Sequence, residues 1–127
     1  MVDGELVARA YSVVSSPFDE TLEFFSIVVP DGAFTSNLQH LKVGDELYLD
    51  KVSYGYLTLA RYQLPVPQDL WLLATGTGLA PFLSMLQDFE TWKKYQHINL
   101  VYSVRTASEL AYVERIQEIA ALFGEGH

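Results

Sequence analysis

Apolar and polar positions change rhythm near the middle of the chain. In the first half, Leu6–Ser16, Thr21–Pro30 and Asp45–Val52 are rich in Val, Tyr, Phe, Ile and Leu. Turn signals separate them at Ser16-Pro17, Asp31-Gly32 and Gly44-Asp45. This pattern reads as β-strands. Tyr54–Leu59 predicts one more short strand after a tight corner. Between the second and third strands, Ala33–Leu41 predicts a short helix with Thr35 or Ser36 as its cap. Strands with short connections suggest part of an antiparallel barrel or sandwich.

The composition shifts at 63–68, where Pro65 and Pro67 bracket Val66 and favour an extended link. The run Leu70-Trp71-Leu72-Leu73-Ala74-Thr75 does not alternate, which predicts a strand buried on both faces, as in a parallel sheet. Gly76-Thr77-Gly78 follows at once. Ala80–Tyr95 carries Phe82, Leu83, Leu86 and Phe89 at helical spacing, and Ile98–Ser103 reads as a second buried strand. Ser108–Phe123 predicts a helix capped by Ser108, with Leu110, Val113, Ile116, Ile119 and Ala120 on one face. The expected fold is β followed by α/β. A partial antiparallel barrel spans 1–66, and part of a doubly wound sheet, arranged β-α-β-α, spans 67–127. Four strands are too few to close a barrel and two parallel strands make a poor sheet, so the chain is expected to be cut from a longer protein at both ends. There is no internal repeat and no low-complexity tract.

Charge and cysteine content narrow the function. Of 127 residues, eight are Lys or Arg and sixteen are Asp or Glu, a formal charge of −8. Phosphate-rich surfaces are bound through Lys and Arg, so neither nucleic acid nor an anionic membrane is an expected partner. With no Cys there are no disulfides, thiol nucleophiles or thiolate metal sites, which fits a reducing compartment. No signal-like segment and no run near the roughly 20 apolar residues of a spanning helix is visible, so the expected location is the cytoplasm. His40, His97 and His127 share no metal-ligand spacing, and no Ser-His-Asp constellation stands out. Asp45, Glu46 and Asp50 read as a solvated strand face, Trp71 as core and Trp92 as helix surface.

Three segments carry candidate chemistry. A strand, then Gly76-Thr77-Gly78, then a helix is the arrangement in which backbone N–H groups and the helix dipole meet a phosphate. Its alternative is a tight turn without a ligand, since the third glycine of the common dinucleotide fingerprint is missing. Arg105 stands beyond the second strand's carboxyl end, where open α/β sheets bind ligands. It can clamp a phosphate, or pair with Glu109 as a loop residue. In Arg9-Ala10-Tyr11-Ser12, a cation and a flat ring share one strand face, which suits a nucleotide with a planar ring or a solvated edge strand.

Arg9-Ala10-Tyr11-Ser12, Leu22-Glu23-Phe24, Val29-Pro30-Asp31-Gly32, Ala74-Thr75-Gly76-Thr77-Gly78 and Glu109-Leu110-Ala111-Tyr112 occur in that order. Together they resemble the bacterial ferredoxin–NADP reductases (flavodoxin reductases) over nearly the whole chain. The resemblance implies an FAD-binding antiparallel barrel followed by an NADP-binding α/β domain. It implies a flavoprotein oxidoreductase that passes electrons between NADPH and ferredoxin or flavodoxin. By the same likeness, Arg9, Ala10, Tyr11 and Ser12 hold FAD, with Arg9 near the pyrophosphate, Tyr11 on the isoalloxazine ring and Ser12 near the reactive N5. Phe25 lies beside the cofactor, Ala33, Phe34 and Thr35 lie on its pyrophosphate, and Thr77 touches it from the other domain. Gly76, Gly78, Val104 and Arg105 fall to NADP. Family members are about twice this length, so the chain alone is expected not to perform the whole reaction. The basic residues that dock an acidic carrier are few (Lys42, Lys51, Arg61, Lys93, Lys94). The rival readings are a non-catalytic folded remnant and the reductase component of an oxygenase.

Overall fold

The computed structural model describes residues 6–61 and 64–124. Gln63 of the expected link and His127 lie outside them. The described residues form two compact units. One holds those up to Tyr11 together with Ser26–Tyr56; the other holds Ser12–Phe25 together with those from Leu57 onward. The unit edges therefore fall at 11/12, 25/26 and 56/57, and not at the composition change after residue 66.

The unit containing Ser26–Tyr56 departs from expectation. None of the four strands predicted in the first half forms a ladder among the described residues. Alternation and β-branched content provide side chains that fit a pleated sheet, but a strand exists only when a partner takes its N–H and C=O groups. Ile27, Val28, Val29, Leu47, Tyr48 and Leu49 stay exposed, so the partial barrel is not built as a paired sheet here. The turn at 29–32 does form as its residues require. Pro30 takes the second position, Asp31 has φ 59°, and Gly32 N–H donates to Val29 O at 2.9 Å. A Cβ on Gly32 would stand 3.0 Å from both Val29 O and Thr35 Oγ1, so a side chain there would press on the turn. The predicted helix shrinks to the single turn α1 (Thr35–Leu38), and neither Thr35 nor Ser36 caps it. Thr35 Oγ1 accepts from Val29 N–H at 2.9 Å, and the Ser36 hydroxyl donates to Gly32 O. Both hydroxyls are committed to the turn.

The other unit is built on two parallel strands, β1 (Asp69–Thr75) and β2 (His97–Ser103), in register from Asp69 with His97 to Thr75 with Ser103. The expected burial of β1 on both faces does not hold. Leu72 and Ala74 are 3% exposed, whereas Trp71 is 62% and Leu73 68% exposed. Helices α2 (Leu79–Leu86) and α4 (Val113–Phe123) send Leu79, Leu83 and Ile119 into one core with Leu72 and Ala74. The opposite face of β1 has no such cover among the described residues.

The single helix predicted for 80–95 is two. It breaks after Leu86, and α3 (Phe89–Lys94) starts from Asp88, whose carboxylate accepts from Glu90 N–H at 3.0 Å. An aspartate before a helical turn is a better cap than interior residue, so the periodicity continued through a real break. The break turns Trp92 inward. It is 8% exposed, its Nε1 donates to Leu86 O at 2.8 Å, and it stacks on Phe123 at 6.0 Å. The expected roles of the two tryptophans are thus reversed.

The last helix starts five residues later than predicted. Ser108 exchanges a hydrogen bond with Thr106 instead of capping, Leu110 is extended, and Tyr112 takes left-handed φ 61° directly before α4. Of the expected apolar face, Ile119 is buried and Ile116 packs against the core, while Leu110, Val113 and Ala120 remain exposed. The stretch Ser12–Phe25 closes this unit as a small hairpin. Val13 bridges Phe24 antiparallel, Val14 N–H donates to Glu23 O at 2.8 Å, and Val14 is fully buried in the shared core. No helix among the described residues is long and apolar enough to cross a membrane.

Candidate functional site

The carboxyl edge of the two strands collects one set of predicted residues. Since Thr75 pairs with Ser103, the backbone leaves both strands side by side, into Gly76 on one and Val104 on the other. Gly76–Gly78 is a single 3-10 turn that leads straight into α2. Gly76 has φ 53°, a conformation that costs glycine little and other residues more. Nothing lies within 4 Å of the position a Cβ would take on Gly76 or on Gly78, so the turn faces open space. The opening N–H groups of an α-helix lack intrahelical partners and point outward with the positive end of its dipole. In α2, Pro81 has no N–H, and the N–H groups just ahead of it donate to Gly76 O and Thr77 O within the 3-10 turn.

Arg105 is also at this edge. Its side chain is 89% exposed, its guanidinium stands 3.7 Å from the Glu109 carboxylate, and its N–H donates to that carboxylate at 3.3 Å. The loop pairing considered from the sequence is therefore formed. So exposed a pair is worth about 0–1 kcal/mol, which leaves the guanidinium easily redirected to an anion. Thr77 is half-buried within the turn. Gly76, Thr77, Gly78, Val104 and Arg105 come together at this edge as an open glycine turn with one exposed cation on the neighbouring loop. That chemistry suits a nucleotide phosphate.

A second set lies in the unit with Ser26–Tyr56. Tyr11 and Phe34 meet with ring centroids 5.8 Å apart and planes tilted by 35°. Arg9 and Ala10 are exposed on the same segment, and Arg9 Nη1 donates to its neighbour Ala8 O at 2.8 Å. Thr35 is buried on the turn after Ala33 and Phe34. Two flat rings beside an exposed guanidinium suit a planar ring system attached to phosphate.

Ser12 and Phe25 belong to the hairpin of the other unit, where Ser12 is exposed and Phe25 is half-buried. Phe25 meets Tyr112 edge-on at 5.2 Å, with planes at 83°. A cluster not anticipated from the sequence surrounds this contact. Glu23 accepts from Arg115 Nη1 at 2.5 Å, and the Arg115 guanidinium lies 5.3 Å from the Tyr112 ring centre. Burial raises the Tyr112 hydroxyl above the ordinary tyrosine value of 10.0, the nearby Glu23 carboxylate pushes the same way, and Arg115 opposes them. Arg115's own hydrogen bond to Glu23 raises its guanidinium, against its desolvation. Glu23 and Phe25 are two apart on one hairpin arm, and Tyr112 and Arg115 three apart around a helix start. Those spacings are visible in the sequence, but their meeting across some ninety positions is not.

Residues 72–125 match the model of an oxidoreductase NAD-binding domain. The chain is 52% identical over 118 residues to a ferredoxin–NADP reductase of Pseudomonas aeruginosa, covering 93% of this chain and 45% of that one. It is 45% identical over 128 residues to ferredoxin–NADP reductase A of Sorangium cellulosum, covering 98% of this chain and 45% of that one. The chain thus spans about half the length of the curated relatives it matches. Among solved structures, a ferredoxin–NADP+ reductase of Neisseria gonorrhoeae, with bound FAD and NADP, superposes with a TM-score of 0.81 at 38% identity, over 87% of this chain and 44% of that one. Over the part of those proteins that it spans, the chain is similar in sequence and fold to the ferredoxin–NADP reductases.

Proposed function

We propose that the protein acts as an FAD-dependent NADPH oxidoreductase that passes electrons to ferredoxin or flavodoxin, the activity carried in the names of its relatives. The observation that carries this reading is the open glycine turn at the paired carboxyl ends of β1 and β2, within a chain 52% identical to such a reductase. FAD, when bound, supplies the exchange between a two-electron donor and one-electron carriers.

The chain's own residues bind and orient. Backbone N–H groups from the Gly76–Gly78 turn and Arg105 hold the phosphates of NADP, with Val104 against the dinucleotide. Arg9 holds the FAD pyrophosphate with Ala33, Phe34 and Thr35. Tyr11 lies on the flavin ring, Phe25 beside it, and Ala10 and Thr77 complete its contacts. Ser12 offers its hydroxyl as a hydrogen-bond partner to the ring nitrogen that takes part in hydride exchange. In this reading residues 1–66 contribute to an FAD-binding barrel and 67–127 to an NADP-binding α/β domain. We place the protein in the cytoplasm, in keeping with its lack of cysteine.

The test is direct. Purified protein mixed with FAD and passed through a sizing column is expected to carry flavin absorbance in its own peak. Arg9→Ala is expected to weaken retention about tenfold or more, the scale of a charge-assisted hydrogen bond. Flavin-free protein peaks would overturn the FAD reading, and equal retention in the variant would remove Arg9 from the site. NADPH oxidation coupled to added ferredoxin or flavodoxin, measured with the chain extended to the length of its relatives, then tests the carrier.

A further inference from the structure

We propose that Tyr112 is a positioning residue for Phe25, and through Phe25 for the flavin ring. Four side chains form a closed circuit. Phe25 meets the Tyr112 ring edge-on at 5.2 Å, Arg115 covers that ring at 5.3 Å, Arg115 donates to Glu23 at 2.5 Å, and Glu23 lies two residues before Phe25 on the same hairpin arm.

Three features show that Tyr112 is held in place and is more than a packing neighbour. Its backbone takes φ 61°, ψ 16°, a left-handed conformation that bulky residues seldom adopt unless their surroundings determine it. The residue before it is fixed too, since Ala111 N–H donates to the Tyr102 hydroxyl at 3.3 Å and Tyr102 is on β2. The hairpin arm is fixed from its other side, where Glu23 N–H donates to the buried Ser15 hydroxyl at 3.1 Å and Val13 bridges Phe24. An aromatic ring between two anchored segments has one available orientation, and Phe25 takes its own orientation from it. Glu23 and Arg115 serve as the clamp that keeps Tyr112 from rotating away. None of the four is required to touch a reacting atom.

This inference rests on the reading that Phe25 lies beside FAD, and the experiment separates the two. FAD affinity and the visible circular dichroism of the bound flavin are measured on the full chain. The variants are Phe25→Leu, Tyr112→Leu, the two combined, Tyr112→Phe and Glu23→Gln. Phe25→Leu is expected to change both signals; if it changes neither, the Phe25 reading fails and this inference with it. Given that change, Tyr112→Leu is expected to shift the dichroism the same way and to weaken FAD about three- to tenfold, the scale of one aromatic pair. The combined variant is expected to be no weaker than Phe25→Leu alone, because Tyr112 acts through Phe25. Tyr112→Phe, which keeps the ring, is expected to recover most of the signal. An unchanged dichroism in Tyr112→Leu, or an additive loss in the combined variant, overturns the inference while the Phe25 reading stands. Should Tyr112→Leu not fold, Glu23→Gln is read in its place: a smaller shift of the same sign supports the clamp, and none overturns it.

Discussion

Two tryptophans show what single residues reveal and conceal. Trp71 sits in a continuous apolar run and Trp92 among Glu90, Lys93 and Lys94, so sequence places the first inside and the second outside. The structure inverts this because only one face of β1 is covered among the described residues and α3 turns at Asp88. Trp92→Ala is therefore expected to cost about 3–5 kcal/mol in urea unfolding, the scale of a buried aromatic truncation, and Trp71→Ala within about 0.5 kcal/mol. Comparable losses for both would contradict the burial assigned here. Of the two readings of Arg105, the pair with Glu109 is formed, and the exposed cation stands beyond the carboxyl end of β2, where a nucleotide is proposed. Arg105→Ala is expected to leave the melting temperature almost unmoved and to weaken NADPH binding by about 1.5–3 kcal/mol in a calorimetric titration. Tyr112 makes a prediction in pH. Its folded value lies above the ordinary 10.0, so folding favours the protonated hydroxyl. That contribution is complete below the ordinary value and is lost as pH rises through the folded one. Stability is expected to fall more steeply above about pH 10 in the wild type than in Tyr112→Phe, compared by urea midpoints across that range.

At the scale of elements, the order strand, glycine turn, helix, strand, helix was legible from the second half. The residues at 70–75 and 98–103 are long enough, apolar enough and punctuated enough to admit no better reading. The starts and stops were not. Apolar spacing runs on through 87–88 although the backbone breaks there, because periodicity reports faces and not caps. Asp88→Ala is expected to cost about 1 kcal/mol by removing the carboxylate that accepts from Glu90 N–H, read as a lowered denaturation midpoint. An unchanged midpoint would mean that α3 is held by packing alone. The late start of α4 was hidden for a related reason: Ser108 is a good cap by type, but its hydroxyl is engaged by Thr106.

At the scale of the molecule, the candidate site was more legible than the first half's architecture. The glycine turn, Val104 and Arg105 meet at one edge because parallel register demands it, and register follows from two similar strands of seven residues. The barrel expected of 1–66 does not follow in that way, since ladders depend on partners distant in sequence. Hydrogen exchange should report the contrast: amides of 70–75 and 98–103 are expected to be strongly protected, and those of 26–29 and 46–50 weakly. Equal protection would show that the first half is paired after all.

The insertion of Ser12–Phe25 into the α/β unit has a practical consequence. Val14 is buried among Leu72, Leu83 and Ile119, and Gln87 reaches back to Val14 O at 2.8 Å. A gene split or a chimera joined at the proline link after residue 66 would carry off a piece of its neighbour's interior. The two polypeptides, mute apart, would find each other when mixed, as halves of a torn page match along the tear.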